Sequence, residues 1–193
     1  MQHELVISGF GGQGALFAGQ VLAYAAMDSG LHVTWLPSYG PEMRGGTAHC
    51  IVVISDEPIG APLVQHPSIA VVMNNPSLEK YAPLVKPGGL LVVNQSLAQS
   101  EVERDDIEVV MVPAQEMAEE LGSPKMLNVV LVGAVLARRP VMPLSAVEQA
   151  LIDHLPAKRQ NLLEANRKAL KAGYDFASVA ASHSVNGQME VTH

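Results

Sequence analysis

Short apolar segments of strand length alternate with longer segments of helical length along most of this chain. Residues 4–8 have strand length, whereas residues 15–27 have the length and composition of a helix that ends near Gly30. Five later segments are rich in Val, Ile and Leu and predict further strands: residues 32–36, 47–55, 69–73, 90–94 and 107–112. Strands this apolar, separated by helices, predict an α/β fold with a mostly parallel sheet and helices on both faces.

Proline and glycine mark the boundaries of these elements. Pro37 ends the second predicted strand, and Asn75 followed by Pro76 predicts the start of a short helix over residues 77–85. A further helix is predicted over residues 114–121, ended by Gly122. Three segments read as loops: the glycine-rich residues 38–46, the proline-rich residues 56–67 and the acidic residues 95–106.

The last third of the chain is predicted to be helical. Residues 126–139 are apolar nearly all round, which is typical of a buried helix, and two more helices follow over residues 144–155 and 161–172. We expect residues 1–140 to form the α/β domain and residues 141–181 a helical C-terminal extension of the same domain. Residues 182–193 are polar and are predicted to be a flexible tail.

Composition excludes several classes of function. With 193 residues, 48% of them apolar, the chain predicts one domain with a packed core. Its net charge of −7 argues against binding to nucleic acid or to an acidic membrane surface. The longest apolar run, residues 129–137, is far shorter than the about 20 residues that span a bilayer. The start of the sequence lacks the basic flank of a signal peptide, so we expect a cytoplasmic protein.

The chain contains one cysteine, Cys50, so it forms no internal disulfide and offers no cysteine motif for zinc or an iron–sulfur cluster. Because Cys50 lies in an apolar run, a buried structural thiol is favoured over a nucleophile. The seven histidines are scattered without metal-ligand spacing, and no residue stands out as a self-sufficient catalyst.

A glycine-rich turn lies between the first predicted strand and the first predicted helix. It carries Gly9, Gly11, Gly12, Gln13 and Gly14 in the pattern G-x-G-x-x-G. In this setting the first glycine permits a tight turn, the second lets a ligand or another chain approach the backbone, and the third lets the helix pack on the strand. The start of the helix would suit an anion, although the same glycines would also serve simply to shape a strand–helix corner.

The surrounding sequence disfavours a nicotinamide-dependent dehydrogenase. Dinucleotide sites of this type need an acidic residue about 20 positions further on, at the end of the second strand. Here residues 34–38 contain no carboxylate, and the first one after them, Glu42, lies beyond a proline. Arg44, deep in the second glycine loop, is a poor match for the arginine that contacts a 2′-phosphate.

That second loop, residues 38–46, carries Ser38, Tyr39, Glu42 and Arg44 among its glycines. If the strands before both loops are parallel, the loops meet at one edge of the sheet, where open α/β folds bind ligands or partners. Arg44 suits a carboxylate or phosphate, but an ion pair with Glu42 that rigidifies the loop explains it equally well.

Together, the segments GFGGQG, SYGPEMRGG and VVISDEPIGAP resemble the gamma subunit of 2-oxoacid:ferredoxin oxidoreductases, over about residues 3 to 140. The two glycine loops at this distance are far more specific than either alone. The matched motif positions are Gly9, Gly11, Gly12, Gln13, Gly14, Ser38, Tyr39, Gly40, Pro41, Glu42, Arg44, Gly45 and Gly46.

The resemblance implies a Rossmann-like fold and a place in a complex that oxidatively decarboxylates a 2-oxoacid with coenzyme A, forming an acyl-CoA and reducing ferredoxin. Thiamine diphosphate with Mg would be bound by alpha and beta subunits, and iron–sulfur clusters would lie there or in a ferredoxin-like delta subunit. This chain would bind none of them firmly and would be inactive alone. Enzymes for 2-oxoglutarate and branched-chain 2-oxoacids look closer than pyruvate enzymes, and indolepyruvate enzymes stay open.

The resemblance also implies roles for the two loops without assigning a catalytic step. Gly9, Gly11, Gly12, Gln13 and Gly14 would contact a phosphate of coenzyme A or a partner subunit, whereas Ser38, Tyr39, Glu42 and Arg44 would face the substrate side or a partner. A stand-alone nucleotide- or CoA-binding protein is the main alternative, and a pure interaction scaffold is a third.

Overall fold

A computed structural model of the chain describes residues 1–39 and 47–186, without the side chains of residue 39 and of residues 180–186. The strands are β1 (Gln2–Phe10), β2 (His32–Tyr39), β3 (Thr47–Ser55), β4 (Ile69–Val72), β5 (Leu90–Asn94) and β6 (Glu108–Val112). The helices are α1 (Ala15–Asp28), α2 (Asn75–Tyr81), α3 (Ala114–Glu120), α4 (Leu127–Arg138), α5 (Leu144–His154) and α6 (Leu163–Asn186). Short 3₁₀ turns occupy Ala82–Leu84, Pro124–Met126 and Ala157–Leu162.

The strands form one mixed sheet in the order β2-β3-β1-β4-β5-β6. Strands β1, β4, β5 and β6 run parallel, whereas β3 is antiparallel to both of its neighbours, β1 and β2. The mostly parallel α/β sheet predicted from the apolar strands is therefore confirmed, with one antiparallel strand inserted beside β1. As a consequence β2 runs in the same direction as β1 and ends at the same edge of the sheet.

Helices cover the two faces of the sheet unequally. One face packs against α1, α3, α4, α5 and α6 around a large core that includes Leu5 and Ile7 of β1. The alternate side chains of β1, such as Val6, face a smaller cluster under α2 that includes Leu78 and Tyr81. The predicted coverage of both faces is confirmed, and the second face relies on one short helix and the loops beside it.

Two glycines allow α4 and α6 to cross at very short distance. A Cβ atom on Gly133 would overlap the carbonyl oxygen of Leu170, and one on Gly173 would overlap that of Val130. Because only glycine brings the two backbones this close, the crossing fixes α6 against the buried helix that the apolar sequence predicted.

Three of the differences between predicted and observed boundaries are informative. Strand β2 continues through Pro37 to Tyr39, because β2 is an edge strand paired only with β3 and the missing N–H of proline costs no ladder bond there. The N-cap of helix α2 is Asn74 rather than the predicted Asn75. The side chain of Asn74 accepts a 2.9 Å hydrogen bond from the backbone N–H of Ser77.

The third difference lies at the C-terminus, where α6 is longer than the predicted helix over residues 161–172. It continues to Asn186, through the first five residues of the segment predicted to be a tail. Residues 187–193 lie outside the described part of the chain. No helix among the described residues combines the length and apolar character needed to cross a membrane.

Candidate functional site

The glycine turn lies at the carboxyl end of β1, but its glycines divide their roles differently from the prediction. The tight turn does not depend on Gly9, which lies within β1 and has no positive φ; it depends on Gly12 (φ 101°) and Gly14 (φ 81°). Gly9 instead permits close packing, since a Cβ there would lie 2.6 Å from Oε1 of Gln13 and 2.9 Å from Cβ of Met73. Left-handed backbone at two positions explains why the turn is glycine-rich.

Gln13 ties this turn to the end of β4. Its Oε1 accepts a 2.6 Å hydrogen bond from the backbone N–H of Phe10 and a 3.3 Å bond from the side-chain amide of Asn74. Its Nε2 donates to the backbone carbonyl of Met73 at 3.4 Å. The side chain of Gln13, a predicted contact residue, therefore forms hydrogen bonds within this chain. These bonds hold the turn in a fixed position at the edge of the sheet.

No side chain caps the start of α1. Gly14 is the N-cap residue and has no side chain to cap the first N–H groups, and no acidic residue lies in the first turn. The amide of Asn128, at the start of α4, donates a 3.0 Å hydrogen bond to the carbonyl oxygen of Gly14. The uncapped N–H groups and the positive end of the helix dipole favour an anionic ligand.

A cavity of about 550 Å³ lies against this helix start. It extends between the glycine turn, the beginning of β3, the start of α4 and the 3₁₀ turn before α6. The residues that line it are Phe10, Gly11, Gly12, Gly14, Ala15, Leu16, Phe17, Thr47, Ala48, Lys125, Met126, Asn128, Leu155, Arg159, Leu162 and Asn166. A concave site of this size suits a small molecule or an extended part of a larger one.

The polar groups around the cavity are of two kinds. Lys125 and Arg159 are exposed cations at its lining, and neither forms an ion pair within the described residues. Asn128 and Asn166 are 3% and 2% exposed, and each uses its amide nitrogen on a backbone carbonyl. Their Oδ1 atoms are buried from solvent and have no hydrogen-bond partner among the described residues.

The second glycine loop begins and ends beside the same cavity. Ser38 and Tyr39 lie in β2 rather than in the loop, opposite His49 and Ala48 of β3, and Phe10 of β1 is opposite Thr47. The prediction that both loops leave the same edge of the sheet is confirmed. Gly40, Pro41, Glu42, Arg44, Gly45 and Gly46 lie outside the described residues, so the roles predicted for them stay predictions.

Cys50 is a buried structural thiol, as its apolar setting indicated. It is 0% exposed, its Sγ lies 3.4 Å from the carbonyl oxygen of Ala15, and burial raises its pKa to about 12. A thiol with such a pKa does not act as a nucleophile at neutral pH. The described residues contain no group of three or more His, Cys, Asp or Glu side chains arranged to hold a metal ion.

Four polar residues of the cavity were not predicted from the sequence: Lys125, Asn128, Arg159 and Asn166. Asn128 carried a usable signal, since it is the one amide within an otherwise apolar helix. The others lie in the C-terminal helical region, about 110 to 150 residues from the glycine turn, and only the fold brings them to it.

Comparison with known proteins agrees with this architecture. Residues 4–176 match the pyruvate ferredoxin/flavodoxin oxidoreductase family. The 2-oxoglutarate synthase subunit KorC of Methanothermobacter marburgensis is 39% identical over 183 residues, which cover 91% of this chain and 97% of KorC. The ketoisovalerate oxidoreductase subunit VorA of the same organism is 37% identical over 175 residues, 89% of this chain, and the chain spans only 36% of VorA.

Among solved structures, the gamma subunit of a keto/oxoacid ferredoxin oxidoreductase from Geobacter sulfurreducens has a TM-score of 0.81 at 29% identity. The match covers 94% of this chain and 98% of that one. The resemblance carried by the two glycine loops is therefore confirmed, and the chain belongs to the pyruvate ferredoxin/flavodoxin oxidoreductase family, as a relative of its gamma subunits.

Proposed function

We propose that this chain is the gamma subunit of a multisubunit 2-oxoacid:ferredoxin oxidoreductase. The complex oxidatively decarboxylates a 2-oxoacid in the presence of coenzyme A, releases an acyl-CoA and reduces ferredoxin. The observation that carries the proposal is the match to KorC, which extends over nearly the whole length of both chains. Two of the similar relatives, KorC and VorA, are named for 2-oxoglutarate and ketoisovalerate, which favours 2-oxoglutarate or a branched-chain 2-oxoacid as the substrate.

In this proposal the redox chemistry takes place on other subunits. Thiamine diphosphate with Mg belongs to the alpha and beta subunits, and the iron–sulfur clusters belong to those subunits or to a ferredoxin-like delta subunit. The residues of this chain do not fit a cluster, because its single cysteine is buried and four thiolates are the usual requirement. The chain works in the cytoplasm, is inactive alone and completes the assembly.

The edge of the sheet beside the glycine turn is the part of this chain that we propose contacts coenzyme A. The uncapped start of α1, together with Lys125 and Arg159, offers sites for its phosphates. We propose that the second glycine loop, with Glu42 and Arg44, contacts the substrate side or a partner subunit.

Assembly is tested by co-expressing the tagged chain with the thiamine-binding and ferredoxin-like proteins encoded beside it. We expect a stable complex to co-purify with the tag. A chain that never co-purifies with a thiamine diphosphate-binding partner contradicts the proposal.

Kinetics of the assembled complex test the coenzyme A contact. We expect Arg159→Gln and Lys125→Gln each to raise the KM for coenzyme A about three- to tenfold, because each removes one charged contact to a phosphate. The KM for the 2-oxoacid should not change. Lys171→Gln, on the exposed side of α6, is the matched control, because among the described residues Lys171 pairs only with Asp175 and does not line the cavity. An unchanged KM for coenzyme A in both cavity variants refutes the contact and leaves the assembly proposal standing.

The alternative is a stand-alone nucleotide- or CoA-binding protein, and the open helix start beside a cavity is the observation in its favour. Calorimetry on the isolated chain with coenzyme A and with NAD(P)H separates the two. Tight binding by the lone chain supports the alternative, whereas a subunit that only completes a shared site binds neither tightly.

A further inference from the structure

A second cavity, of about 450 Å³, lies on the opposite face of the sheet, beside α2. Val6 of β1 and Ile51 of β3 form its apolar floor, beside the hydrophobic cluster that lies under α2. The connection between β3 and β4 forms one wall through Val64 and Pro67, and Leu84 adds a further apolar surface. None of these residues lines the cavity beside the glycine turn, so the two sites are separate.

Polar side chains converge on this cavity from three elements. His49 comes from β3, Lys80 and Tyr81 come from α2, and His66 comes from the connection between β3 and β4. The rings of His49 and Tyr81 lie 5.9 Å apart between centroids, and Nζ of Lys80 lies 4.9 Å from the centroid of the Tyr81 ring. His49, Tyr81 and Lys80 therefore lie beside one another above an apolar floor, and His66 lines the same cavity.

Lys80 is the fixed charge of the cavity. Its ammonium contacts the face of Tyr81 and forms no ion pair within the described residues. Burial, and after it the nearby Lys80, lowers the pKa of His49, so His49 is neutral at pH 7 and donates or accepts a hydrogen bond without adding charge. Nδ1 of His66 lies 3.3 Å from the carbonyl oxygen of Leu84, which directs its other ring nitrogen away from that carbonyl.

One fixed cation, hydrogen-bonding side chains and an apolar floor match a ligand with a single negative charge and an apolar body. A divalent metal ion does not fit, because the described residues offer no group of three ligating side chains. We propose that this cavity binds a small monocarboxylate, with the carboxylate held by Lys80 and His49 and the apolar body lying on Val6 and Ile51. Its volume lies within the range of small-molecule sites.

Hexanoate and its neutral analogue hexanamide are the probes for this site. We expect hexanoate, added to the ¹⁵N-labelled full chain at pH 7, to shift the backbone amide resonances of Val6, His49, Ile51 and Tyr81 in a saturable manner. Hexanamide should bind at least about fivefold more weakly, because it lacks the charge that Lys80 recognises. Equal binding of both probes refutes the carboxylate assignment.

Two variants of Lys80 test whether this residue supplies the positive charge that binds hexanoate. Lys80→Gln should weaken hexanoate binding at least about fivefold, whereas Lys80→Arg, which keeps the charge, should stay within about threefold of the wild type. Lys171→Gln is the control, because it removes another exposed lysine, in α6, away from this cavity. The proposal is overturned if hexanoate produces no saturable shifts, if the shifts map to Gly11 and Gly14 on the other face, or if Lys80→Gln and Lys171→Gln bind alike.

Discussion

Replacing Gly14 by alanine measures how closely the start of α1 packs against α4. A Cβ at this position would overlap the amide nitrogen of Asn128 and would lie 2.9 Å from its Cγ. Gly12, two residues earlier, is the natural control, because it also has a positive φ (101° against 81°) but a Cβ there meets no atom within 4 Å. Both substitutions place alanine at a positive φ, and only the one at Gly14 adds a close contact.

The structure sets the size of each effect. Alanine in a left-handed conformation costs about 1–2 kcal/mol, which is the whole expected cost of Gly12→Ala. At Gly14 the new methyl group also displaces Asn128, whose 3.0 Å hydrogen bond to the Gly14 carbonyl contributes about 1 kcal/mol, and forces a shift in a tightly packed wall. We therefore expect Gly14→Ala to lower the free energy of unfolding by about 2–4 kcal/mol.

Urea unfolding of the full chain, followed by the fluorescence of the single tryptophan, Trp35, measures both variants. In an Asn128→Ala background the cost of Gly14→Ala should fall toward that of Gly12→Ala, since the displaced group is gone. If Gly14→Ala costs no more than Gly12→Ala in the wild-type background, the close packing of this corner is refuted.

Two further predictions concern packing and ionisation. Gly173→Ala should lower the free energy of unfolding by about 3 kcal/mol or more, because its Cβ would overlap the Val130 carbonyl oxygen. Gly60→Ala, whose Cβ would meet no atom within 4 Å, should change the free energy of unfolding by less than about 0.5 kcal/mol. Equal urea midpoints for the two variants contradict this prediction. Because burial raises the pKa of Cys50 to about 12, the unfolded state loses that proton first as the pH rises. Above about pH 8.5 the free energy of unfolding of the wild type should therefore fall with rising pH more steeply than that of Cys50→Ala, by up to about 1.4 kcal/mol per pH unit. Equal slopes of the two proteins in urea unfolding at a series of pH values refute the burial argument.

Local pattern was sufficient to predict most of the fold. Apolar runs predicted each strand, and the nearly uniform apolar character of α4 identified it as a buried helix. The order of the strands was not predictable in the same way. The antiparallel pairing of β3 with β1 and β2 depends on contacts between distant segments, which leave no mark in the period of any one strand.

The candidate site was predictable only on its glycine side. Positive φ at Gly12 and Gly14 leaves a direct signal in the sequence, because few other residues adopt that backbone. Lys125 and Arg159 carry no such signal, since exposed basic residues in helical regions are common and only the packing of α4 and α6 brings them to the turn. Gln13 was predicted as a contact residue and stays a prediction; the pattern gave no sign that its side chain bonds to Phe10, Met73 and Asn74.

The most direct test of the central claim is the rate of ferredoxin reduction by the reconstituted complex, measured with and without this chain. With thiamine diphosphate, Mg, coenzyme A and either 2-oxoglutarate or a branched-chain 2-oxoacid present, we expect reduction only when this chain is included. The chain alone should reduce no ferredoxin. A complex of the remaining subunits that turns over equally fast without this chain contradicts its proposed role as the gamma subunit.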